Sequence, residues 1–415
     1  MDPITHGITG SLIGKGYFSE REGEVAIFAA TLGAVFPDCD IAAEIVSRDP
    51  LAIIKYHRGI THSFVGMPFF AVALALLTRW AFPHLQKRFA ILRDLRVPSF
   101  GMLTLIYAIG IASHIVLDGM TSFGTRMWTP ISNTRVSWDW LFIIDFAFTT
   151  LVLVPQIVAW IHARRERHTY RAAAMWILFT FGAFGAWRLA DFAGFPFHEW
   201  IVVLASAIFA GLFFLPGWKG KGFRVPRAAW SRAGVWLSVA YVLTCGYAHH
   251  QALGRVRNFA AENHIAIERI GALPLPPSLL DWGGVIRSDD GVYQSRFDLR
   301  QHAAPSFLFR ADSPPDAYTT RALDLPDVKL YWNFARFPVV RTSTENGDHI
   351  VDFLENRFIT RRTSGPPPFS YRVVFDSSGN LVEEGWQQDP SFLRRMKRFS
   401  PPRSSASPPS APGGK

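Results

Sequence analysis

Long, continuously apolar stretches dominate the first 250 residues of the chain. Each is close to the ~20 residues that an α-helix needs to cross the hydrocarbon core of a bilayer. They are apolar on every face, as in membrane helices, whereas a helix at the surface of a soluble protein has a single apolar stripe. The six predicted membrane spans are 64–82, 99–117, 141–162, 172–190, 200–217 and 233–248.

A seventh apolar stretch, Val25–Phe36, has only twelve residues. This length is short for a membrane span and favours a packed or re-entrant helix.

After the last predicted span, the long apolar stretches give way to mixed polar and apolar sequence. Short alternating stretches bounded by turn residues predict β-strands, and Asp376–Asn380 predicts the turn of a hairpin. The predicted strands are Lys329–Arg336, Ile350–Leu354, Tyr371–Phe375 and Leu381–Trp386, after an entry linker at Ala272–Pro277.

The predicted fold class is mainly α, a polytopic helical membrane bundle of about six spans followed by a C-terminal β-containing soluble domain. Region 1–160 carries the first three spans and the candidate chemistry, and 161–248 adds further membrane helices. Region 249–398 is the soluble domain, and the Ser-, Pro- and Gly-rich region 399–415 is a predicted disordered tail.

Composition supports a membrane protein. Of the 415 residues, 49% are hydrophobic and 18% are charged, against roughly 25% charged in soluble domains. Two cysteines cannot build a disulfide framework or a cysteine-rich zinc site.

The net charge of +10 has a topological explanation. Loops 83–98, 163–171 and 218–232 are basic, whereas 118–140 and 191–199 are balanced or acidic. By the positive-inside rule, the basic loops lie in the cytoplasm, and the chain after residue 249 lies outside. We therefore expect a multi-pass protein of the cytoplasmic membrane with no nucleic-acid partner.

Histidine and aspartate residues cluster in the first 145 residues. His114 and Asp118 are four apart, so a helix presents both on one face as a metal platform. Asp38 and Asp40 point the same way if the chain is extended there. His57 and His62 share a site if a helix begins near residue 61. Imidazole and carboxylate groups suit zinc, iron or manganese.

These residues are predicted to meet at the outer membrane face, with His6 from the N-terminal segment. Ionisable groups near span ends are costly unless they are paired or functional. Arg58 is a candidate phosphate clamp, and Asp139 and Asp145 are candidate orienting groups or general bases.

Each residue also has a structural interpretation. His6 could be a surface residue, and Asp38 and Asp40 could form a turn after Pro37. His114 and Asp118 could form a hydrogen bond within a helix, and Asp139 could cap the third span.

The ordered motifs resemble the YdjM-type family of bacterial inner-membrane proteins, which are described as LexA-regulated, membrane-bound, metal-dependent hydrolases. The resemblance covers roughly residues 1–160 and rests on Met1–Gly7, Pro37–Asp40, His57–Ser63, His114–Asp118 and Thr121–Gly124. A fainter similarity to the all-helical zinc-dependent phospholipase C group is an analogy. The metal positions implied by the YdjM resemblance are His6, Asp38, Asp40, His57, His62, His114 and Asp118.

The sequence therefore predicts a membrane-bound metal-dependent hydrolase. Seven candidate ligands exceed the four of one tetrahedral zinc, so we expect two or three divalent ions, zinc first and manganese or iron as alternatives. A site beside membrane lipid predicts a phosphoester or another amphiphilic, lipid-linked substrate. The alternative is a non-catalytic metal-binding membrane protein or a transporter.

Overall fold

The computed structural model of the protein describes residues 1–47, 49–192, 198–276, 278–358 and 366–387. The chain before residue 263 is mostly helical, and the remainder builds two antiparallel sheets with two short helices. The fold is therefore mainly α, an apolar helical bundle followed by a β-containing C-terminal domain, as predicted.

Eleven α-helices precede residue 263 in the described part of the chain. α1 continues through a π-helical turn, Gly14–Phe18, into α2. The bounds are α1 Pro3–Ile13, α2 Ser19–Glu22, α3 Glu24–Val35, α4 Ile41–Val46, α5 Ala52–Lys55, α6 Met67–Arg88, α7 Phe100–Gly119, α8 Phe146–Ile161, α9 His168–Phe192, α10 Trp200–Phe214 and α11 Arg227–Glu262.

Five helical segments of the described chain are long and apolar enough to cross a membrane. Four of them coincide with the predicted spans 64–82, 99–117, 172–190 and 200–217. The five segments are Glu24–Ala43, Met67–Arg88, Phe100–Gly119, Arg165–Asp191 and Trp200–Gly220.

The predicted short helix at Val25–Phe36 corresponds to α3, Glu24–Val35, but the helical segment continues beyond it. A 3₁₀ turn at Phe36–Asp40 joins α3 to α4, so the apolar helical segment reaches 20 residues. Pro37 does not interrupt it, because proline fits the first turn of a helical element, where its missing N–H is not needed.

The two remaining predicted spans differ from the structure. In place of 141–162, α8 begins only at Phe146 and has 16 residues, because the Asp145 side chain accepts a hydrogen bond from the Phe148 amide and caps the helix. Span 233–248 lies inside α11, whose 36 residues extend about 54 Å. The distal part of α11 packs Ala252, Val256 and Ala260 against the first sheet.

Small residues bring α1, α3 and α7 close together. A Cβ added at Gly10 would lie 2.5 Å from the carbonyl oxygen of Ala30, and one at Gly110 would lie 2.7 Å from the same atom. Such contacts between backbones are typical of membrane helix packing. These contacts fix the relative positions of α1, which carries His6, of α3, which leads into Asp38, and of α7, which carries His114.

The C-terminal domain contains two four-stranded antiparallel sheets, ordered β1-β2-β3-β4 and β5-β6-β7-β8. Helices α12 (Ala317–Asp324) and α13 (Pro326–Phe334) lie between the sheets in sequence. The strands are β1 Arg269–Pro274, β2 Asp281–Ser288, β3 Gly291–Asp298, β4 Leu308–Ala311, β5 Pro338–Glu345, β6 Asp348–Glu355, β7 Tyr371–Phe375 and β8 Leu381–Trp386.

The predicted hairpin is confirmed, since β7 and β8 pair antiparallel, and Ile350–Leu354 lies inside β6. The predicted strand Lys329–Arg336 is wrong, because most of this stretch belongs to α13. Val328, Tyr331 and Phe334 are buried at a three-residue spacing, which is a helical period.

The predicted entry linker Ala272–Pro277 is also wrong. Its first three residues end β1, where Ala272 and Leu273 are buried. Residue 277 and the predicted disordered tail 399–415 lie outside the described residues.

The C-terminal domain packs directly against loops of the helical bundle. Leu51, Ile54 and Phe123 belong to the same apolar cluster as α13 and the second sheet. Buried Arg357 donates hydrogen bonds to the carbonyl oxygens of Ser122 and Phe123, at 3.1 and 3.2 Å. The loops around the predicted site are therefore part of the core of this domain.

Candidate metal centre

The predicted histidines and aspartates gather at one end of the helical bundle. They come from the turn that follows α3, the segment that precedes α6, and the last two turns of α7, with α1 alongside. The residues brought together are His6, Asp38, Asp40, His57, His62, His114 and Asp118.

Four of these side chains form an inner group, Asp38, His62, His114 and Asp118, whose ligand atoms all lie within 4.8 Å of one another. The two histidine Nε2 atoms are 3.0 Å apart. Each lies 3.5 Å from Oδ1 of Asp38 and 3.4 Å from Oδ2 of Asp118. A tetrahedral ion with bonds of ~2.0–2.1 Å requires ligand atoms about 3.3–3.4 Å apart. The inner group therefore has the dimensions of a cage for one ion.

The hydrogen bonds of the two rings decide which nitrogen faces the cage. Nδ1 of His114 lies 2.7 Å from the carbonyl oxygen of Ala34, which can only accept, so Nδ1 carries the proton. Nε2 of the neutral ring then presents its lone pair to the cage. Nδ1 of His62 lies 3.1 Å from Oδ2 of Asp40, which favours the same tautomer.

Asp40 and His57 form an outer group beside the cage. Oδ1 of Asp40 lies 2.8 Å from Nδ1 of His57, and Oδ2 accepts hydrogen bonds from the Thr61 hydroxyl and the Arg58 amide. The side chain of His57 is 15% exposed, whereas those of His62 and His114 are fully buried. The outer group is thus the more accessible edge of the site.

His6 closes the opposite side of the cage. Its ring stacks on His114 with centroids 3.6 Å apart, and its Nε2 lies 3.2 Å from Oδ1 of Asp118. The α-amino group of Met1 contacts the same carboxylate oxygen. Burial, followed by the neighbouring His114 ring, lowers the pKa of His6 to about 3, so this ring is neutral.

The electrostatics of the cage favour a cation. Burial lowers the pKa of His62, but three surrounding carboxylates outweigh it and raise the pKa to about 10. Oδ2 of Asp38 is buried without a hydrogen-bond partner among the described residues. The carboxylates therefore hold positive charge at this point, and a divalent ion that displaces the proton of His62 fits this set of imidazole and carboxylate ligands.

Arg58 lies against the cage. Its Nε is 2.9 Å from Oδ2 of Asp118, and its Nη1 donates to the Thr121 hydroxyl at 3.1 Å. The guanidinium lies 4.9 Å from the centroid of the Phe123 ring. The backbone at Arg58 has a positive φ of 59°, which turns the chain between His57 and His62 so that both rings reach Asp40.

Comparison with protein families adds a separate line of evidence. The family described as YdjM inner membrane protein matches residues 1–190, which include the whole His/Asp cluster. Residues 1–190, just under half of the chain, are therefore similar to the YdjM inner membrane protein family. The comparison with curated proteins gave no match, and neither did the comparison with solved structures.

Two predicted site residues of the YdjM region have their carboxylates engaged elsewhere. Asp139 forms a two-pronged ion pair with Arg336, at 2.9 Å for each contact. Asp145 caps α8 and accepts hydrogen bonds from Tyr241 and Ser278. Neither belongs to the groups of possible ion ligands among the described residues. These contacts give both residues structural roles and provide no support for a general base.

Sequence reasoning missed the residues that orient the candidate ligands. The carbonyl of Ala34 and the hydroxyl of Thr61 leave no distinctive pattern in the sequence. Phe123 lies between the site and the C-terminal domain. The signal available for two of them was their position inside the motifs His57–Ser63 and Thr121–Gly124.

Proposed function

We propose that the YdjM region is a membrane-bound, metal-dependent hydrolase. The observation that carries this proposal is the inner group, in which two histidine Nε2 atoms lie 3.0 Å apart and 3.4–3.5 Å from one carboxylate oxygen each of Asp38 and Asp118. Burying ionisable groups at the end of membrane helices costs free energy unless they are paired or bind a ligand such as an ion.

The inner group supports one tightly held ion. The sequence predicted two or three ions. Asp40, however, contacts the nitrogen of His62 that faces away from the cage, and His57 contacts Asp40, so both are placed to orient a metal ligand. Zinc would fill its tetrahedral positions with the four protein ligands, whereas manganese or iron with six positions would keep two open. Hydrolysis needs an open position, which zinc provides by expanding to five ligands and manganese or iron provide by taking six.

The residues of the chain then have distinct roles. A bound ion would lower the pKa of a coordinated water and neutralise charge that develops on the substrate. His57, whose Nδ1 lies 2.8 Å from Oδ1 of Asp40 at the accessible edge of the site, is the proposed proton-transfer group together with that carboxylate. Arg58 holds Oδ2 of Asp118 and adds a fixed positive charge beside the cage.

The proposed substrate is an amphiphilic phosphoester or a lipid-linked molecule on the outer face of the cytoplasmic membrane. The position of the cage at the ends of α3 and α7 supports a substrate that lies at the membrane boundary. The basic loops at the opposite ends of the helices support the sidedness.

A non-catalytic metal-binding role is the second candidate, because four protein ligands are typical of structural zinc sites. A transporter is disfavoured, since the cage lies at helix ends and transport sites lie near the midplane.

The test is metal content and phosphoesterase activity of the purified full chain. We expect about one bound transition-metal ion per chain and turnover of a phosphomonoester or phosphodiester. Asp118→Asn should lose both, whereas the exposed control Asp94→Asn should keep both. Metal without turnover of any substrate would favour the non-catalytic candidate, and absence of metal would refute both.

A further inference from the structure

Two arginines outside the cage occupy an unusual position for like charges. An antiparallel bridge joins Thr125 to Val136, with both backbone hydrogen bonds at 2.9 Å. Arg126 and Arg135 are the next residues of the two segments, and the charge of Arg126 acts on Arg135. Like charges directly opposite one another across two strands are destabilising.

Neither arginine has an acidic partner within the described part of the chain. Arg126 donates to the carbonyl oxygen of Lys55 at 2.6 Å, and its Nε is buried without an acceptor. Arg135 donates to the carbonyl oxygens of Gly124 and Ile54, at 3.3 and 3.1 Å. Neutral carbonyl groups satisfy individual N–H groups but cancel neither net charge.

Further positive charges surround this pair. The guanidinium of Arg135 lies 5.3 Å from the centroid of Phe123, the ring that Arg58 also covers. It lies 5.4 Å from the centroid of Phe334, and Arg357 covers the same ring at 4.5 Å. Burial, and then the charges of three neighbouring arginines, lower the pKa of Arg135 to about 9.

The arginines lie next to the accessible edge of the cage. The amide of Arg126 donates to the carbonyl of Arg58 at 3.4 Å, which ties it to the segment between His57 and His62. The Asp40 carboxylate acts electrostatically on both Arg126 and Arg135. An anionic group held by this pair would therefore lie beside the segment that carries His57 and His62.

We propose that Arg126 and Arg135 form an anion subsite that binds the phosphoryl group of a phosphorylated substrate beside the accessible edge of the metal cage. This inference rests on the proposed function and names the chemistry that the same site recognises. Paired guanidinium groups are suited to phosphate oxygens, because each presents a planar fork of donors.

The test is a titration of the metal-loaded full chain with inorganic phosphate, followed by thermal unfolding at constant ionic strength. We expect phosphate to raise the unfolding midpoint of the wild-type protein more than chloride does. Arg126→Gln and Arg135→Gln should each weaken phosphate binding by about tenfold, the loss expected for one charged hydrogen-bonding group. The exposed control Arg93→Gln should bind phosphate as the wild type does.

A second arm replaces free phosphate with phosphatidic acid in mixed micelles, against phosphatidylcholine as the control lipid. Stabilisation by both ligands indicates recognition of the phosphoryl group itself, and stabilisation by phosphatidic acid alone indicates a lipid headgroup. If a glutamine variant fails to fold, Arg135→Lys keeps the charge, removes the fork, and should still show weakened binding.

Metal content measured on the same samples separates the two proposals. Glutamine variants that keep the metal and lose phosphate support the subsite. A wild-type protein that holds metal and is stabilised by neither phosphate nor phosphatidic acid overturns the subsite and leaves the metal centre in place. A wild-type protein stabilised by phosphate without any metal overturns the hydrolase proposal alone.

Discussion

Asp40 connects three parts of the site through one carboxylate. Oδ1 contacts His57, and Oδ2 accepts from Thr61 and lies 3.1 Å from Nδ1 of His62. A carboxylate on the outer nitrogen of a ligating histidine fixes its tautomer and raises its basicity. Asp40 therefore acts through His62 if the cage holds a single ion.

This arrangement predicts a graded loss of metal. Asp40→Asn should weaken metal affinity by ~10–100-fold, the usual cost of losing a group that orients a ligand. His62→Ala should abolish stoichiometric binding, because it removes one of the four cage atoms. A competition titration with a chelating dye measures both effects, with the exposed His84→Ala as control. Complete loss of metal in Asp40→Asn would instead make Asp40 a direct ligand.

The sequence was informative about the cage wherever spacing alone decides geometry. His114 and Asp118 face the same point because they are one helical turn apart in α7. The roles of Asp139 and Asp145 could not be predicted, since their partners Arg336 and Ser278 lie 197 and 133 residues away. Pairing over such distances leaves no local signal.

The contact between α3 and α7 positions the cage at the level of helices. Gly33 and Gly110 face each other, and a Cβ at Gly110 would meet Ala30 and Ala34 backbone atoms at 2.7 and 2.9 Å. Ala34 is also the residue whose carbonyl orients His114. Separation of these helices would therefore move a ligand and its hydrogen-bond partner apart.

Gly110→Ala should consequently destabilise the protein by ~1–3 kcal/mol, the usual cost of overpacking, and should also weaken metal binding. Gly101→Ala, in the same helix with open space around it, is the matched control and should be neutral or slightly stabilising. Thermal unfolding in detergent, with and without metal, measures both variants. Equal stability of the two variants would show that the close approach of α3 and α7 is dispensable.

Apolar length predicted four membrane segments well because it is a local property. The sequence did not show where α8 begins, since the start depends on the Asp145 cap and its contact with Ser278 in the C-terminal domain. It also did not reveal α13, because a mixed aromatic and charged stretch fits either a strand or a helix until the buried face is known.

At the scale of the whole molecule, the C-terminal domain is joined to the site rather than appended to the bundle. Arg336 binds Asp139, Lys55 pairs with Asp327, and the loop that holds His57 rests on the core of the second sheet. This end of the molecule therefore behaves as one unit, and the sidedness of the cage and of the C-terminal domain must be the same.

The native cysteines test that sidedness. Cys39 is exposed between Asp38 and Asp40, and Cys245 is buried. If the cage lies on the outer face, a membrane-impermeant maleimide should label Cys39 in intact spheroplasts. In a Cys39→Ser chain, Lys221→Cys in a basic loop should react only after permeabilisation, because the positive-inside rule predicts that loop in the cytoplasm. Labelling of Lys221→Cys before permeabilisation, with Cys39 protected, would place the cage and the C-terminal domain inside the cell.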